Sequence, residues 1–119
     1  MKLSKYKNEI LENVIDPMIC FMKELGEDCE YTIAHVEKCE ELLMDYIFAL
    51  SELDSPDEDQ IMAAVKELVL ALNELNEDAD YSLIETDSRE AICEIIQAAA
   101  SECGLDNDVT DITEEWREW

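Results

Sequence analysis

The sequence predicts an all-α protein: a four-helix bundle with a kinked first helix and a short C-terminal helix, forming one domain over residues 1–119. Three observations carry this. Apolar residues recur at three- and four-residue steps along most of the chain, the period of one helix face. Only two glycines and two prolines occur in 119 residues, too few for the turns of an all-β fold but enough to punctuate a few long helices. The hydrophobic fraction of 48% gives a chain of this length a core despite its charge.

The first helix is expected over residues 4–25, with Ile10, Leu11, Val14, Ile15, Met18, Ile19, Met22 and Leu25 recurring at three- and four-residue steps as its apolar stripe. Pro17 removes a hydrogen bond and clashes with the carbonyl four residues back. The stripe keeps its phase across it, so one kinked helix is expected rather than two, ended by Gly26. The second helix runs from Glu30 to Leu53, with Val36, Cys39, Leu43, Tyr46, Ile47 and Leu50 inward. The third has a strong start signal, Ser55 as N-cap, Pro56 at the first helical position and Glu58 closing a capping box, and continues to Asn76.

Ten of the twelve residues from Ile61 to Leu72 are apolar, wider than one buried face requires. Either this helix is central or its spare face makes a homodimer contact. The fourth helix is expected from Asp87, boxed with Glu90, to Cys103, with Gly104 as its stop. A loop from Leu105 to Thr110 then leads to a terminal helix with Ile112, Trp116 and Trp119 on one side. Those tryptophans are expected to plug one end of the bundle, with an interface role as the alternative.

Charge is the most unusual property. Thirty-two acidic residues face eight basic ones, a formal charge of −24. Lys2, Lys5 and Lys7 precede the first acid, so from Asn8 onward only five bases oppose all 32 acids. Such a chain repels phosphate and anionic lipid and attracts basic surfaces. Direct nucleic-acid binding is disfavoured, because neutralising phosphates requires clustered Lys and Arg. No run approaches the roughly 18 apolar residues of a membrane span, and Met1 to Glu12 has no apolar signal core. The five cysteines contain no C-x-x-C and read as free thiols of a cytoplasmic protein. Cys29, in an acidic turn, is expected to be the most reactive of them.

The acidic connection after the third helix partly fits a calcium loop. Oxygen-bearing residues fall at positions one (Asn76), three (Asp78), five (Asp80), seven (Ser82) and twelve (Asp87), with Leu83 at eight. The first ligand is Asn, however, and Tyr81 stands where the sharp turn calls for glycine. A solvated loop is the expectation. Asp106-Asn107-Asp108 also lacks the glycine and has Arg117 at position twelve.

His35 lies one helical turn before Cys39, but zinc needs further ligands at recognisable spacing. A di-iron bundle needs two Glu-x-x-His pairs, which a single histidine cannot supply. No nucleophile elbow, phosphate loop or dithiol motif occurs. No enzyme activity, cofactor, catalytic residue or metal ligand is therefore expected.

What remains is a non-enzymatic, acidic protein-interaction module that binds a basic protein, such as an immunity or inhibitor protein of a nuclease toxin. In size, helicity and acidity the chain is similar to the nuclease-colicin immunity proteins, without their Asp-x-x-Tyr-Tyr-Pro motif. A DNA mimic is the second reading and a small metal-binding or enzymatic bundle the third. Glu77, Asp78, Asp80 and Tyr81 are the expected partner-binding residues, because they join a dense acid cluster to an aromatic anchor.

Overall fold

The computed structural model describes residues 2–105 and 112–119. The Asp106-Asn107-Asp108 stretch and most of the loop around it therefore lie outside the described residues. Those described form four helices, the first long and bent, and contain no strand.

The long helix consists of α1 (Leu3–Ile10), a π turn (Leu11–Ile15) and α2 (Asp16–Leu25). The π turn is the physical answer to Pro17. It widens the helix over the stretch that contains Asn13, whose carbonyl a regular α turn would press against the proline ring. The apolar stripe keeps its phase: Ile10, Val14, Ile15 and Met18 are buried, Leu11, Ile19 and Met22 are partly buried against the core, and Leu25, at the helix end, is exposed. Gly26 ends α2 with a φ of 57°, the left-handed region that glycine enters without steric cost.

After a 3₁₀ turn (Gly26–Asp28) come α3 (Ile33–Glu52), α4 (Glu58–Asp78) and α5 (Thr86–Glu102). The helix starts differ from the expected ones. α4 is capped by Asp57, not Ser55: the Asp57 carboxylate accepts the Gln60 N–H at 2.8 Å, and the Gln60 side-chain oxygen accepts the Asp57 N–H at 3.0 Å. Ser55-x-x-Glu58 and Asp57-x-x-Gln60 both fit the capping pattern. Ser55 takes a φ of 46°, which makes it part of the preceding turn. α5 likewise begins at Thr86 rather than after Asp87, and the Ser88 hydroxyl accepts the Glu85 N–H at 2.9 Å. α3 starts at Ile33, three residues later than expected, with Thr32 as N-cap.

α3, not α4, is the central helix: it packs against α1, the π turn, α2, α4 and α5. Val36, Cys39, Leu43, Tyr46, Ile47 and Leu50 fill its inner face, as the periodicity predicts. The apolar width of α4 is spent differently. Ile61, Val65, Leu68, Val69 and Leu72 enter the core, whereas Leu70 stays 43% exposed.

Three tyrosines tie the layers together. The Tyr6 hydroxyl donates to the Glu102 carboxylate, joining α1 to the end of α5. Tyr31 donates to the Met18 carbonyl at 2.6 Å, and Tyr46 to the Ile96 carbonyl at 2.8 Å. Burial raises all three phenols above their ordinary range, that of Tyr31 to about 12.

Among the described residues the expected C-terminal helix is not formed. Residues 112–116 make turns, and residues 117–119 have no regular structure. The cause lies in α4. The buried Asn73 side chain donates to the Trp116 carbonyl at 2.8 Å and accepts the Glu118 N–H at 3.0 Å. The Glu118 N–H, which a helix would give to the Glu114 carbonyl, is thus committed to a tertiary contact, and so short a helix cannot nucleate alone. Trp116 and Trp119 are partly buried against the core, and Lys66 stands over the Trp116 ring at 5.9 Å.

The cysteines also separate by environment. Cys20, not Cys29, is the exposed one; the Cys29 thiol is half-buried and donates to the Tyr31 carbonyl at 3.3 Å. Cys39 is fully buried, which pushes its thiol up to about 12. Since the thiolate is the nucleophile, a maleimide probe at neutral pH should label Cys20 first and Cys39 last. Mass-resolved labelling of the native protein checks the order, and early modification of Cys39 would contradict the packing of α3.

Candidate functional site

The acid cluster and the aromatic residue expected to bind a partner lie where α4 ends. Glu77 and Asp78 occupy the last turn of α4 and are exposed. The chain then passes through two consecutive left-handed residues, Asp80 with φ 60° and Tyr81 with φ 61°. Aspartate tolerates this region, but a tyrosine there pays roughly 1–2 kcal/mol for its Cβ.

Asn76 holds the turn in that conformation. Its carbonyl accepts the Tyr81 N–H at 2.7 Å, and its side-chain oxygen accepts the Ile84 N–H at 2.9 Å. Asn76 is 3% exposed, so these bonds are made out of water's reach, where breaking them is costly. Below the turn Ala79, Leu83 and Ile84 are buried and anchor it to the core. The result is a rigid corner from which Tyr81 projects, 63% exposed.

The corner also explains what becomes of the calcium-loop pattern. The chain does make a left-handed turn at position six, using Tyr81 in place of glycine. Position one, however, turns inward: the Asn76 side chain is occupied by the Ile84 N–H. Asp78 turns toward α3, where its carboxylate meets His35 Nε2 at 2.9 Å. Among the described residues no group of three His, Cys, Asp or Glu side chains converges as a metal ligand set would.

His35 has a role that its spacing to Cys39 did not suggest. It sits at the third position of α3, and its Nδ1 accepts the Thr32 N–H at 3.0 Å. It thus replaces the Glu or Gln of an ordinary capping box. With Nδ1 accepting, Nε2 carries the hydrogen and donates to Asp78. One imidazole therefore caps α3 and clasps it to the end of α4, while Cys39 faces the core.

A cleft of about 230 Å³ opens beside the corner. Pro17, Met18 and Phe21 of α2 form one wall, Ser82 and Leu83 the floor next to Tyr81, and Glu85 to Ser88 at the start of α5 the other wall. Phe21 is 40% exposed and presents its ring to this cleft. Sequence reasoning missed this cleft, because its walls come from segments about 65 residues apart and α2 read only as a core helix. Its one legible trace was the surplus of Phe21 over the buried stripe.

All of these residues fall within residues 16–119, the segment that matches the model of a family of unknown function (DUF5713). The chain belongs to the DUF5713 family. The match begins at Asp16, the first residue of α2, so the Tyr81 corner, the His35–Asp78 clasp and both cleft walls lie inside the DUF5713 segment. No curated protein and no solved structure matches the chain. No helix among the described residues is long and apolar enough to cross a membrane.

Proposed function

We propose that this protein is an acidic docking module for a basic protein, engaged through Glu77, Asp78, Asp80 and Tyr81. The observation that carries the reading is the exposed tyrosine held in a left-handed conformation amid carboxylates. Backbone strain of this kind persists only where the surrounding structure over-determines it, and it concentrates at functional positions. Tyrosine is also a favoured interface anchor, since it offers a large contact area for little side-chain entropy. The surrounding charge speeds encounter with a cationic partner and makes association fall steeply with salt. A toxin inhibitor is the use that fits these features best, because a toxin must be neutralised quickly.

A DNA mimic would instead use acids along the length of the molecule. The Glu52 to Asp59 cluster and the Glu74 to Asp80 cluster lie at opposite ends of α4, which at 21 residues spans roughly 30 Å. Charge reversal separates the two readings. A basic partner captured on the immobilised protein and eluted with salt should lose at least tenfold in affinity to Glu77→Lys/Asp78→Lys. It should lose less than twofold to Asp54→Lys/Glu58→Lys. Equal losses favour the elongated geometry, and no loss in either makes the acidic surface a merely solvated one.

Tyr81→Gly adds a second, more specific expectation. Glycine enters the left-handed region freely, so the variant should gain about 0.5–1 kcal/mol in denaturant unfolding. It should also bind the partner at least tenfold more weakly. A variant that is less stable, or that binds as well, removes the support the strained tyrosine gives.

A further inference from the structure

We propose that the cleft between α2 and the start of α5 receives an arginine side chain of the basic partner; this rests on the docking reading above. The cleft joins two features that match one side chain. Its apolar lining is the exposed Phe21 ring over the edges of the buried Met18 and Leu83, suited to the aliphatic stem. Its α5 side carries Glu85 and Asp87, both exposed, and no lysine or arginine lines it.

Arginine fits better than lysine. A guanidinium is planar and weakly hydrated, stacks on an aromatic face and takes carboxylate oxygens in pairs. Phe21 offers the ring, and Glu85 and Asp87 offer the carboxylates. The start of α5 contributes a partial positive charge of roughly half a unit, which the two full negative charges outweigh. Ser82 and Leu83, which follow Tyr81 directly, line the cleft, so one partner surface reaches both: its basic patch meets Glu77 to Asp80 while one arginine enters beside Ser82.

The test uses the unaltered protein and short acetylated peptide amides. An Arg-Gly-Arg peptide is titrated against ¹⁵N-labelled protein at physiological salt, beside matched peptides carrying lysine or citrulline, the neutral isostere of arginine. With the arginine peptide, amide shifts should saturate and concentrate at Phe21 and residues 82–88. Citrulline should bind at least tenfold more weakly and lysine several-fold more weakly. Phe21→Ala and Glu85→Gln/Asp87→Asn should each weaken the arginine peptide at least fivefold. Shifts spread over all acidic helices without saturation, or citrulline binding as well as arginine, would overturn the proposal. With the captured partner, these cleft variants separate the two claims. Binding lost to Glu77→Lys/Asp78→Lys but untouched by the cleft variants defeats the cleft and leaves the docking reading intact.

Discussion

Leu43→Ala should lower the melting temperature by more than about 10 °C and unfold a measurable fraction of the protein at low salt. Leu43 is fully buried on α3, the helix that every other one packs against. Truncating a buried leucine costs roughly 2–5 kcal/mol in lost transfer energy and residual cavity. Typical domains have only about 5–15 kcal/mol in total. This protein also starts from a disadvantage, since its 32 acidic side chains face only eight lysines and arginines. The surplus acids repel one another across distances comparable with the Debye length, about 10 Å at 0.1 M salt.

Sodium chloride should therefore raise the melting temperature of the parent protein and partly rescue Leu43→Ala. Phe48→Ala provides the control: Phe48 is 53% exposed, and its removal should cost less than about 0.5 kcal/mol. Thermal melts of the three proteins at several salt concentrations decide the matter. A Leu43→Ala melt indistinguishable from that of Phe48→Ala would contradict the central position of α3. A flat salt response would mean that the acids are locally compensated.

Alkaline pH should unfold the protein cooperatively, beginning near pH 10. Unfolded tyrosines ionise near 10, whereas burial keeps Tyr6, Tyr31 and Tyr46 protonated in the fold well above that, Tyr31 to about 12. Above pH 10 the native state thus binds more protons than the unfolded one, so stability falls as pH rises. The contribution is fully present below the unfolded value and is lost through the folded values. The Cys39 thiol, raised to about 12, adds to the same slope. In a Tyr81→Phe background, which removes the one exposed tyrosine, helical circular dichroism and tyrosinate absorbance should change together, in one step.

Tyr46→Phe tests the linkage directly. It loses the bond to the Ile96 carbonyl and should cost about 1 kcal/mol at neutral pH. It also removes one titrating group, so its stability should decline less steeply between pH 10 and 12 than that of the parent. Tyrosinate appearing gradually in the Tyr81→Phe background, well before the helices are lost, would mean that the three phenols are open to solvent.

The sequence alone determined the helices and most of their buried faces. Periodicity is a local property, and a stripe such as Val36, Cys39, Leu43, Ile47 and Leu50 has one inward side whatever it packs against. The bend at Pro17 was legible for the same reason, because its steric clash reaches only one turn back. Exact starts were less so: two overlapping capping patterns before α4 are chemically equivalent as text, and only the path of the incoming turn selects Asp57.

The tertiary structure decided everything that depends on residues far apart in the chain. His35 and Asp78 meet across 43 positions, and Asn73 takes the Glu118 N–H across 45. The first pairing turns an apparent metal ligand into a helix clasp. The second replaces a terminal helix with a docked tail. The left-handed Tyr81 belongs here too, because local propensity argues against it and the buried Asn76 overrides that propensity with two hydrogen bonds. The acidic cluster could be read from composition, but its conversion into a rigid corner beside an apolar cleft requires α2, α4 and α5 to meet, which no local pattern encodes.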